Sequence, residues 1–144
     1  MSAKVSLIGS GAATVALLCC TLMVQAQGAT SVRDGVYTEE QAKRGEAQYL
    51  QSCGPCHGAS LGGGEMAPSV AGPDFISNWN GLTVGDLLDR IRTTMPQDAP
   101  GSLSPQQNAD VLAYMLSVSK FPAGQTELAR QPDMLKAIKI EPPQ

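Results

Sequence analysis

The chain has 144 residues, 42% of them apolar, and a formal charge of −3. That length allows one domain plus appendages, and so mild an acidity argues against nucleic-acid binding. One Trp, three Tyr and two Phe against 15 Gly and 10 Pro make a thin core for such a domain, one that a large apolar cofactor would complete.

Residues 1–26 read as an export signal peptide. Lys4 supplies the positive start, Ala12 to Val24 is uncharged and largely apolar, and Val24-Gln25-Ala26 suits a cut after Ala26. The competing expectation is a retained anchor, because the uncharged stretch from Val5 to Ala26 is long enough to span a bilayer. Cys19 and Cys20 lie inside this segment, behind a poor lipid-attachment box, Ala16-Leu17-Leu18. Its removal would leave a mature chain with Cys53 and Cys56 as its only thiols.

Residues 27–37 read as a short polar lead without periodicity. Thr38 then caps a first helix that runs to about Gln51, with Glu39 and Glu40 in its first turn and Gln41 at capping-box spacing. Gly45 and Tyr49, four apart, share a face, and the glycine there lets another helix approach closely.

Cys53-Gly54-Pro55-Cys56-His57 follows directly. Residues three apart on a helical turn lie on one face, so both sulfurs can reach one porphyrin edge and add to its two vinyl groups. His57 would sit under the ring as an iron ligand. A zinc site would need a fourth ligand that two cysteines and the chain's one histidine do not provide. A thioredoxin-like dithiol would need alternating strands and helices that the sequence lacks. Burying a haem would contribute several kcal/mol, at about 25 cal/mol per Å² of apolar surface.

Gly58 to Gly72 reads as a loop. Gly62-Gly63-Gly64 lacks the lysine and helix start of a phosphate-binding turn. A ligating histidine donates its second ring N–H to a fixed acceptor, and a carbonyl near Pro68 is the nearest candidate. Met66 reads as a packing residue, too close in sequence to His57 to cross to the other ring face. Asp74 to Trp79 reads as a short helix, and Trp79 either sits at the haem edge beside a propionate or packs in the core.

Thr83 caps a helix over Val84 to Arg92 whose apolar face is Leu87, Leu88 and Ile91. It stops at Thr93-Thr94-Met95-Pro96. With one histidine in the chain, the second axial place falls to a methionine, a lysine, a water or nothing. Met95, held on a turn after a helix and far enough along to reach the opposite face, fits best. Arg92 is a candidate for pairing with a propionate, with a solvated arginine as its alternative. Pro100-Gly101 turns the chain, and Ser104-Pro105 starts the last core helix, with Ala109, Val111, Leu112, Met115, Leu116 and Val118 inside. Val111 and Tyr114 should meet Gly45 and Tyr49, and Met115 and Met134 read as packing residues. The tail from Phe121 to 144 should wrap against the body through Leu135, Ile138 and Ile140.

In matching order, Cys53-Gly54-Pro55-Cys56-His57, the Ala67-Pro68 loop, Arg92-Thr93-Thr94-Met95-Pro96 and Asp110-Val111-Leu112-Ala113-Tyr114 resemble class I c-type cytochromes over residues 38–120. The segment Pro100 to Ser104 and the tail resemble the small cytochromes that accompany periplasmic quinoprotein dehydrogenases. The resemblance implies an all-α cytochrome c fold and one haem c on Cys53 and Cys56. It further implies axial ligation by His57 and Met95, with the Pro68 carbonyl holding the histidine ring. Filled axial sites imply an electron-transfer protein rather than an enzyme. It would work in the periplasm, with a dehydrogenase as donor and an oxidase or another cytochrome as acceptor, and would meet the membrane only if the N-terminal segment is retained.

Overall fold

The computed structural model describes residues 28–143. The signal-peptide reading of residues 1–26, with Cys19 and Cys20, lies outside the described residues. Among the described residues there are five α-helices and no named strand: α1 Glu39–Ser52, α2 Gly54–His57, α3 Gly72–Trp79, α4 Val84–Thr94 and α5 Pro105–Val118. Short 3-10 turns at Val32–Asp34 and Pro132–Leu135 precede and follow them. The fold is all-α, and no helix among the described residues is long and apolar enough to cross a membrane.

Local chemistry accounts for the helix starts. The Thr38 hydroxyl accepts from Gln41 N–H, and Thr83 with Asp86 and Ser104 with Gln107 form reciprocal capping boxes. Helix α1 is the exception to the expected box. The Gln41 side chain is fully buried and faces the tail, donating from Nε2 to the Leu128 carbonyl (3.1 Å) and accepting at Oε1 from Leu128 N–H (2.6 Å). Helix α4 runs two residues beyond the expected Arg92. Thr93 and Thr94 remain helical, with their hydroxyls bonded back to the carbonyls of Asp89 and Arg90 (2.7 and 2.8 Å).

The main packing is α1 on α5. Gly45 makes it possible, because a Cβ there would fall on the Asp110 carbonyl and crowd Tyr114 Cβ. Four residues on, the Tyr49 and Tyr114 rings meet at 5.6 Å with a 57° tilt. Arg44 ties the same pair of helices to the tail, with two 3.1 Å bonds to Asp110 and one of 2.7 Å to Glu127. Those hydrogen bonds raise the Arg44 pKa above its ordinary value. A half-exposed network of this kind contributes about 1 kcal/mol or less per pair.

The lead is not the patternless polar segment its sequence suggests. Ser31 and Asp34 cap a turn that fully buries Val32, and Val36 and Tyr37 are buried as well. The lead is bonded to the tail: Val32 N–H donates to the Lys139 carbonyl (3.0 Å), Lys139 N–H to Thr30 (2.8 Å), and Tyr37 hydroxyl to Phe121 (2.7 Å). Gly35 and Gly124 touch backbone to backbone where the two segments cross. The tail buries Phe121, Leu128, Leu135, Ile138 and Ile140 against the helices. Met66 and Met134, read from sequence as packing residues, are instead 80% and 67% exposed. Met66 sits in a glycine-rich loop and Met134 on the outer side of a single 3-10 turn, where no second element covers them.

Candidate metal centre

Helix α1 ends on Cys53, and the chain passes into α2 through one tight turn: His57 N–H donates to the Cys53 carbonyl (2.9 Å) and Cys56 N–H to the same oxygen (3.2 Å). Pro55 lies in the first turn of α2, where its missing N–H costs nothing. The turn presents two free thiols, Cys53 half-buried and Cys56 exposed. Burial, and secondarily the neighbouring Cys56, pushes the Cys53 thiol up to about 11.

His57 follows on the same turn. Its Nδ1 lies 2.8 Å from the Pro68 carbonyl oxygen. A carbonyl only accepts, so the contact places the proton on Nδ1 and leaves the Nε2 lone pair for a metal. The loop that brings Pro68 there is folded by its own backbone: Gly63 N–H donates to the His57 carbonyl (2.9 Å), Gly64 to Ala67 (2.9 Å) and Val70 to Leu61 (2.9 Å). Gly63 takes φ +76°, and a Cβ there would strike the Pro68 and Ser69 backbone, so only glycine fits. On the other side, the buried Tyr49 hydroxyl donates to the Gly58 carbonyl (2.9 Å) and fastens α1 to the residue after His57.

Met95 is the C-terminal cap of α4, half-buried against the core, with its N–H on the Ile91 carbonyl (2.9 Å). Its thioether is therefore delivered by the end of a helix and held in apolar surroundings. Trp79, the last residue of α3, is half-buried and packs on Phe75 with ring centres 6.5 Å apart. Arg92 is engaged by Asp89, one turn back on α4, at 2.6 and 2.8 Å. The structure thus joins Cys53, Cys56, His57 and Pro68 in one bonded unit, places Met95 on a separate helix, and gives Arg92 a carboxylate partner of its own.

Among the described residues no group of three or more His, Cys, Asp or Glu side chains is arranged to hold a metal ion. A zinc site built on the two cysteines is thereby without its remaining ligands. A haem is a different matter, since it brings four nitrogens to its iron and asks the chain for two thiols and axial donors. The unpaired thiols and the oriented imidazole meet that demand. Two contributors escaped sequence reasoning. Tyr49 was read only for packing, and Gln41 only as a capping residue; neither hydroxyl nor amide carries a local signal for a partner distant in the chain.

An all-α fold with a Cys-x-x-Cys-His turn and an imidazole pinned through Nδ1 defines the c-type cytochromes, proteins that hold haem c and transfer electrons. Within that class the chain belongs to the family described as cytochrome c oxidase, cbb3-type, subunit III, whose model matches residues 40–115. No curated protein and no solved structure matches the chain.

Proposed function

We propose that this chain is a periplasmic c-type cytochrome with a single, covalently attached haem, passing electrons one at a time from a dehydrogenase towards a terminal oxidase. The contact from His57 Nδ1 to the Pro68 carbonyl is the observation that carries the reading, because it prepares Nε2 for iron. Haem c, when bound, supplies a one-electron Fe(II)/Fe(III) couple. Cys53 and Cys56 would tether it by thioethers, and His57 Nε2 and the Met95 sulfur would hold its iron. With both His57 and Met95 engaged, no place on the iron would be left for substrate or oxygen. The neutral Met95 thioether and the apolar residues packed around it favour the reduced state, which raises the potential. Pro68 and Tyr49 hold His57 and its following turn still, so little rearrangement accompanies a change of charge. Trp79 and Arg92 belong to the haem surroundings in this reading, Arg92 through exchange of Asp89 for a propionate.

A second reading, the same domain as a subunit of an oxidase or dehydrogenase complex, is favoured by the oxidase subunit named in the family's description. The two separate on purification from periplasm: a shuttle elutes alone, and a subunit elutes with its complex. Attachment itself is tested by the mass of the denatured protein. It should exceed the polypeptide mass by one haem and fall to the bare chain when Cys53 and Cys56 are both changed to Ser. A preparation that gives only the bare polypeptide mass overturns the proposal.

A further inference from the structure

The tail after Phe121 continues beyond the residues matched by the family model, which end at 115, and it is bonded both to the helix that leads into Cys53 and to the helix that ends at Met95. At its near end the Gln41 amide grips Leu128 through both of its polar atoms, on the helix that leads into Cys53. At its far end residues 138–140 lie between the lead and the start of α4. Val84 N–H donates to the Ile138 carbonyl (2.9 Å), Gly81 N–H to Ile140 (2.8 Å), and Ile140 N–H to Leu82 (2.9 Å). Lys139 bridges Ser31 on one side and Thr83 on the other. Between these ends, the turn Pro132–Leu135 lies directly on α4: a Cβ on Gly85 would strike the Pro132 carbonyl and crowd Lys136. The helix so held ends at Met95.

We propose that the C-terminal tail is a positioning brace for Met95, fixing α4 against α1 so that the thioether stays on the iron bound by His57. The inference rests on the His57 and Met95 ligation proposed above. Leverage gives the reason. Helix α4 has 11 residues, about 16 Å at 1.5 Å per residue, so a tilt of about 5° at its first turn moves its far end by about 1.4 Å. A neutral thioether is a weak ligand, and a displacement of that size opens its place to a competing donor. The tail grips the first turn, where such a tilt would begin.

The test uses the oxidised, haem-loaded protein with free imidazole as the probe of an opened axial site. Gly85→Ala and Ile140→Ala loosen the brace, and Val111→Ala removes core volume from α5 as a comparison. Backbone hydrogen exchange at Gly81, Val84 and Ile140 reports the brace directly, and thermal unfolding reports overall stability. In Gly85→Ala and Ile140→Ala, exchange should rise at those amides and imidazole should bind at least about tenfold more tightly. The sulfur-to-iron charge-transfer band should also be lost on heating before the helices unfold. Val111→Ala should lose stability with imidazole affinity unchanged. Should either brace variant fail to mature, Gln41→Leu loosens the other end and carries the same expectation. Imidazole affinity unchanged in the brace variants, or raised equally in Val111→Ala, overturns the proposal. Absence of the charge-transfer band from the unsubstituted protein refutes instead the ligation on which it rests.

Discussion

His57 has two ring nitrogens, and one hydrogen bond decides what each can do. The Pro68 carbonyl at 2.8 Å accepts a hydrogen bond from Nδ1–H, which leaves a single direction in which the ring can bind metal. The reduced unsubstituted protein should accordingly resist carbon monoxide, and Met95→Ala should bind it readily, which a difference spectrum under carbon monoxide would show. Tyr49→Phe keeps the ring against Tyr114 but strips the Gly58 carbonyl of its donor. It should lower stability by about 1 kcal/mol in denaturant unfolding. The Cys53, Cys56 and His57 cluster is legible in the sequence because its geometry is local, five residues on one turn. The Tyr49 hydroxyl and the Gln41 amide find partners 9 and 87 residues away, and nothing near them in sequence announces either bond. Arg92 pairs with Asp89, three residues back on the same helix.

Among the elements, α1, α4 and α5 were readable from caps and apolar spacing, both of which act within a few residues. Carboxylates held by local hydrogen bonds and one ion pair carry a pH prediction. The Thr83 hydroxyl and backbone N–H hold the Asp86 carboxyl below its ordinary 3.8, backbone N–H bonds from Thr30 and Ser31 lower Asp34, and Lys136 lowers Asp133. Each carboxylate has a folded pKa below its unfolded one, so its stabilisation is complete above the unfolded value and is lost as pH falls through the folded value. Melting temperature should therefore drop below about pH 4. In Asp86→Asn the curve should start lower and fall less steeply. The α1–α5 crossing gives a second test. Gly45→Ala forces the helices apart at the Asp110 carbonyl and should cost about 1–3 kcal/mol. Gly64→Ala, where a Cβ meets nothing within 4 Å, should cost far less in the same denaturant series.

At the scale of the molecule, the lead, the tail and the start of α4 are sewn together by backbone bonds between segments far apart in sequence: Val32 to Lys139, Lys139 to Thr30, Ile140 to Leu82. Such pairing has no helical period and no turn signature, which is why the lead looked featureless while the apolar Leu135, Ile138 and Ile140 of the tail did not. The chain has few aromatic side chains, and the haem proposed for it supplies the bulk they lack. The proposed function depends on one iron held between His57 and Met95, and the absorption spectrum of the oxidised, mature protein reads that ligation. Ligation by Met95 predicts a coloured protein with a long-wavelength sulfur-to-iron charge-transfer band that disappears in Met95→Ala. A colourless mature protein, or a band that survives that substitution, would contradict it.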